Sequence, residues 1–400
     1  MWLAFGSSAA IVVGIAPSQI LLGLTLLAFV IGRVRPEVPP IKAPLGLFLL
    51  GTAVAIALSG DPGVAWPQVK KFYVFTQVVV AYTVLRELRV ARRLMLAWAV
   101  LASVSGVLGI WQFGVKLYTL RQQSGDLYTA QVAERITGFM SHWYTFSVVL
   151  MIALLMLVSY VFFAPGSRRR LPLWCLLGLI LSVAIVIAQT RAVWVATVVA
   201  GAYLVFVWRP KATLAIPVVL GLGLMVTPPL IRQRAISIVR PSAADSNEFR
   251  SILMRTGVRM VKEHPWFGLG PEVPRKRFLE YLPPDVPLPL PAGSYMHLHN
   301  VYLHYAAERG VPVMLVMVWL FAQILWDFGR GVRALPAGLD DRRFLLHGGI
   351  AVVISLLIEG ITDVNLGDSE VLTMFLVVTA LGYNALGGRL AADRGVPLGG

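Results

Sequence analysis

His297 and His299 stand two residues apart in a long polar segment, followed by Asn300, Tyr302 and His304. An imidazole titrates near neutrality, so its neutral form can take a proton from a hydroxyl as that hydroxyl attacks. A metal reading needs a third ligand, from His264 or a carboxylate. No His-Glu-x-x-His spacing favours it, and neither metal nor cofactor is expected. The plainer alternative is a set of interfacial histidines at a helix start. Nucleophilic catalysis has no support: there is no Gly-x-Ser-x-Gly, and the one cysteine, Cys175, lies in an apolar run with no histidine beside it.

Arg191 is the second candidate. Residues 171–188 and 192–207 are two apolar runs with only Gln189-Thr190-Arg191 between their ends. The arginine must then sit at a membrane boundary, where an ionisable group is a functional candidate. A guanidinium there suits two-point binding of phosphate oxygens; a snorkelling anchor is the plainer reading. Lys70 and Lys71 lie in a short connection assigned below to the same face.

The elements that must position these groups are almost all apolar. The chain has 400 residues, 57% hydrophobic and 14% charged, with a mean hydropathy of +0.74. That is well below the roughly 25% charge of soluble domains. Recurrent apolar runs predict an all-α polytopic membrane protein with about 12 transmembrane helices. The runs are 3–15, 20–31, 45–58, 72–85, 94–113, 146–163, 171–188, 192–207, 212–226, a span within 301–328, 344–361 and 371–386. The β-barrel alternation is absent, and a single cysteine excludes an internal disulfide. The first run lacks a basic flank and reads as a membrane segment rather than a cleaved signal.

Alternate connections carry Arg33/Arg35/Lys42, Arg86–Arg93, Arg168–Arg170, Arg209/Lys211 and Arg330–Arg343. Lys/Arg bias makes that face cytoplasmic. The other face receives the connections 59–71, 116–142 and 362–370, the Arg191 turn and the long segment 227–308. The chain thus divides into membrane helices 1–226, an outer loop 227–308 and membrane helices 309–400. That loop holds ten Lys or Arg against seven Asp or Glu, the wrong side for so much positive charge unless it binds an anionic substrate. A merely solvated basic loop is the alternative. Within it, 247–263 has helical spacing, stopped by Pro265; the prolines from Pro283 to Pro291 enforce an extended stretch, and Gly293-Ser294 allow a turn before His297.

In this order the motifs resemble those of bacterial O-antigen ligases, in the superfamily that also holds O-antigen polymerases and protein O-oligosaccharyltransferases. Thr190-Arg191 is similar to the family's Ser/Thr-Arg. Arg250, then His264-Pro265-Trp266-Phe267-Gly268-Leu269-Gly270-Pro271, resembles its Arg…His-Pro-x-x-Gly-x-Gly-Pro region. His299-Asn300, nine residues and Gly310 resemble its His-Asn-x9-Gly pattern; Arg135-x-x-Gly138 is a weaker echo, and Val313 departs from the pattern. The resemblance implies a GT-C-like, inverting, metal-independent glycosyltransferase of the bacterial inner membrane, with a large periplasmic loop between late spans. The donor would be an O-antigen polysaccharide on undecaprenyl diphosphate and the acceptor a lipid A–core hydroxyl; membrane lipids, not nucleic acid, are the other partners. On this view His299 is the base, Arg191 and Arg250 bind diphosphate with help from Arg135, Lys70 and Lys71, and Asn300, His297 and His264 support them. Polymerase and protein-glycosylation readings differ only in acceptor. A lipid-linked oligosaccharide transporter would want charges at mid-span.

Overall fold

A computed structural model describes residues 1–122, 127–240, 247–290, 297–336 and 338–388. The expected turn at Gly293-Ser294 lies outside the described residues. Each of the twelve apolar runs is helical: α1 (Trp2–Ala10), α2 (Ile15–Ile31), α3 (Lys42–Ala57), α4 (Val69–Val84), α5 (Leu88–Arg121), α6 (Trp143–Phe163), α7 (Leu171–Ile187), α8 (Arg191–Trp208), α9 (Ala215–Val226), then, past α10 (Asn247–Glu263) and α11 (Val301–Arg309), α12 (Val311–Ala334), α13 (Asp341–Glu359) and α14 (Ser369–Leu386). No strand element occurs among the described residues. Among the described residues, six helices are long and apolar enough to cross a membrane: Leu88–Arg121, Trp143–Phe163, Ser167–Ile187, Arg191–Trp208, Val311–Ala334 and Ser369–Leu386.

Two expectations are corrected. The first run was read through residue 15, yet α1 stops at Ala10. Nine residues rise only about 13 Å, less than half of a roughly 30 Å hydrocarbon core. The serines of α1 hold it inside the bundle: Ser7 Oγ donates to Ser18 O at 2.9 Å, and Trp98 Nε1 donates to Ser8 O at 2.7 Å. The fifth run was read as 94–113 with a polar loop from Lys116, yet α5 runs from Leu88 to Arg121. Its polar ends contain no proline, so nothing stops the helix where the apolar run stops. At about 51 Å it outreaches the hydrocarbon core.

Helix α6 is the axis of the bundle. It is apolar all round and buried along most of its length, from Tyr144 to Phe163, as an all-round apolar helix must be when protein surrounds it. Helices α5, α7, α8, α13 and α14 pack around it. By contrast, α9 is equally apolar and has no buried residue.

The bundle ends differ. At one, Arg86 pairs with Glu37 and Arg92 with Asp341, and Asp340 N donates to Phe163 O at 3.0 Å. At the other, residues 247–290 and 297–309 form a second apolar core with the end of α3. Leu253, Met260, Leu269, Phe278 and Leu298 pack there with Ile56 and Ala65. Burying a large apolar side chain stabilises by about 1.5–3 kcal/mol, so this segment is a folded cap rather than a solvated basic loop. Helix α10 matches the helix expected over 247–263.

Candidate active site

The candidate side chains gather where the cap meets the bundle. A cavity of about 420 Å³ opens there, lined among others by Lys71, His142, Trp143, His297, His299, His304, Glu308, Arg309, Asp363 and Asp368. Helix starts supply Lys71 (α4) and Trp143 (α6), and the turn between α13 and α14 supplies Asp363 and Asp368. Residues as far apart in sequence as Lys71 and Asp368 therefore line one space.

His299 Nδ1 lies 3.2 Å from Asp363 Oδ1, and His297 Nε2 lies 4.0 Å from the same oxygen. Asp363 is only 5% exposed. Burial pulls its carboxyl pKa upward; the imidazoles of His299 and His297 and the Val364 N–H, which donates to Oδ1 at 3.0 Å, pull harder, and the net shift is downward. Burial lowers His297 to about 4, leaving its ring neutral across the physiological range. A proton on Nδ1 lets that nitrogen face the carboxylate, and Nε2 is then the basic nitrogen.

The backbone at His299 is left-handed, φ +48°, a conformation that costs a non-glycine residue of order 1 kcal/mol or more. Its neighbours hold it there. Asn300 caps α11, accepting from Leu303 N at 2.8 Å, and its amide donates to Ile361 O at 2.9 Å. Val301 N donates to Gly360 O at 2.8 Å. Asn300 thus clamps the histidine segment to the turn that carries Asp363. This gives the His-Asn pair its physical reason: one residue faces the cavity and the next fixes its position.

The His264–Pro271 loop braces α11 from its other side. Leu269 N donates to Ala307 O at 2.8 Å, Gly270 N to Glu308 O at 2.9 Å and Val311 N to Pro265 O at 2.8 Å. At Gly310, φ +83°, an added Cβ would fall 2.1 Å from Trp266 O, so the backbones approach too closely for any side chain. His264 lies outside both cavity linings, with Nε2 2.9 Å from the Tyr281 hydroxyl.

The cap also carries a buried charge network. Glu308, 2% exposed, pairs with Arg309, lies 3.3 Å from His304 Nε2 and accepts Glu272 N at 2.8 Å. Burial alone would raise its carboxyl pKa; His304 and Arg309 reverse that and hold it far below the usual range.

Arg191 and Arg250 meet in a second cavity of about 220 Å³, lined also by Ser237, Ile358 and Thr362. Arg191 Nη1 donates to Ser237 O at 2.9 Å and to Ser237 Oγ at 3.0 Å. Thr362 lines this cavity and Asp363 the first, so the α13–α14 turn stands between them. Arg135 stacks over Trp143 at 3.5 Å and feels the charges of Arg234, Asp363, Arg250 and Arg191. Lys71 lines the first cavity rather than the second; Lys70 is exposed and lines neither.

Sequence reasoning gave no role to Asp363, Arg234 or Arg309. Asp363 had one signal, a carboxylate at the end of an apolar run, but nothing in the order of residues couples it to His299 across more than sixty positions.

Residues 176–318 match the O-antigen ligase family model. The similarity to that family is carried by this segment, just over a third of the chain. No curated protein matches the chain. The family segment contains Arg191, Arg250, the His264–Pro271 loop and the His299-Asn300 pair; Lys71, Arg135 and Asp363 join the site from outside it. Several helices among the described residues are long and apolar enough to cross a membrane, and the matched segment is similar to a family of O-antigen ligases.

Proposed function

We propose that the protein transfers a glycan from a polyprenyl diphosphate to a sugar hydroxyl, as an O-antigen ligase acting on undecaprenyl-diphosphate-linked O-antigen and lipid A–core. The observation that carries this reading is His299 Nδ1 set 3.2 Å from buried Asp363, beside a cavity where Arg191 and Arg250 converge. The acceptor oxygen attacks the anomeric carbon while its proton passes to His299 Nε2. The bond from that carbon to the diphosphate oxygen breaks, and its electron pair leaves with the diphosphate. Attack opposite the leaving group inverts the anomeric centre. Asp363 orients His299 and stabilises the imidazolium as it forms.

The leaving diphosphate gains negative charge as the bond breaks. Guanidinium groups fixed beforehand stabilise that charge without reorganising. Arg191 and Arg250 fill this role, with Arg135 adding to the positive field. Lys70 has no part in this reading.

On the Lys/Arg bias of the connecting loops, the site faces the periplasm of the inner membrane.

The test is purified protein given lipid-linked glycan with lipid A–core, or with no acceptor. Glycan attached to lipid A–core is the expected product. Chain lengthening on the polyprenyl carrier alone would show a polymerase instead, and no transfer to either acceptor would overturn the reading.

A further inference from the structure

We propose that His297, His299 and Asp363 form a capture site for a borderline divalent cation, Zn²⁺ above all, and that its binding silences His299. One ligand atom from each residue lies within 4.8 Å of the others. Tetrahedral zinc with bonds near 2.0–2.1 Å requires ligand atoms about 3.3 Å apart. The two separations to Asp363 Oδ1, 3.2 and 4.0 Å, bracket that value, so small rotations of the imidazoles close the set. The rings stand 88° apart with centroids 4.4 Å from each other.

The donor set decides the class of ion. Two imidazoles and one carboxylate suit zinc and its neighbours, whereas magnesium and calcium prefer oxygen alone. The carboxylate is already fixed by Val364 N, 3.0 Å from Oδ1, as ligating carboxylates usually are. Among the described residues His297 Nδ1 is buried without a hydrogen-bond partner. Asp368 adds negative field at Asp363 and Arg135 opposes it. The fourth position would open to the 420 Å³ cavity.

Metal binding rests on these three side chains alone; the silencing rests on His299 as the base. A cation there takes a histidine lone pair and the Asp363 charge together. Both are then lost to proton transfer.

The test starts from purified full-length protein in detergent, stripped with EDTA. Zn²⁺ is titrated by calorimetry, and Co²⁺ serves as a visible-absorption probe of a tetrahedral site. One ion per chain is expected. Replacing a second-shell partner typically costs 10–100-fold in affinity, so His297→Gln and Asp363→Asn, which remove ligands, should each weaken binding at least about tenfold. His264→Gln should leave it unchanged. All variants are first checked for a single sharp gel-filtration peak, and His297→Ala is the second variant if glutamine disturbs it. Transfer should fall as Zn²⁺ fills the site and return with EDTA. No binding, or binding untouched by the ligand variants, overturns the site. Transfer that proceeds in protein shown to be zinc-loaded through these residues overturns the silencing and, separately, the assignment of His299.

Discussion

On the proposed mechanism, His299→Ala removes the imidazole that receives the acceptor proton. General-base catalysis contributes about 10²–10⁴-fold, so the transfer rate should fall by that factor while the protein still inserts. Normal transfer would leave the histidine a structural role only. Arg191→Lys keeps the charge and loses the fork; a large drop in transfer at saturating acceptor is expected, and full activity would reduce Arg191 to a membrane anchor. The Glu308–Arg309 pair makes a stability prediction. Removing one partner of a buried pair costs about 3–5 kcal/mol, so Glu308→Gln should lower the thermal midpoint at neutral pH. Because the folded carboxyl is depressed, its contribution is present above the unfolded value of about 4.3 and is lost as pH falls below it. Wild type and variant should therefore converge on acidification; a gap independent of pH would remove the charge from the explanation.

At the level of elements, the site depends on two braces around α11. Asn300 ties its start to the α13–α14 turn, and the glycines of the His264–Pro271 loop and Gly310 let the loop lie against its end. Gly310→Ala places a carbon against the Trp266 carbonyl at a positive φ. It should destabilise by more than about 1 kcal/mol and lower transfer without touching a reacting group, measured as thermal midpoint and rate together. An unchanged midpoint would show that the loop yields easily. The sequence made this brace visible as a motif but not as a brace. A Gly-x-Gly spelling gives no hint that its partner is a backbone some forty residues further along.

For the whole molecule, the proposed topology sets the paired arginines at one end and the candidate site at the other on opposite sides of the membrane. In a background where Cys175 is replaced by serine, a cysteine at exposed Leu279 should react with an impermeant reagent added outside intact cells. One at exposed Leu339 should react only after permeabilisation. The reverse pattern would put the site in the cytoplasm and end the polyprenyl-diphosphate scheme. Composition and apolar run length by themselves determined that the chain is helical and membrane-bound, because a bilayer leaves the backbone few ways to satisfy its hydrogen bonds. Charge bias assigned the faces, and the spacing around His299 and Arg191 pointed to the chemistry. Only the tertiary structure decided which helices are central. In lipid an apolar helix needs no polar face, so α6 and α9 read alike although one is buried along most of its length and the other has no buried residue. It also decided that Asp363 stands behind His299, since that pairing depends on how α13 packs against α6 and α8 and not on any local pattern.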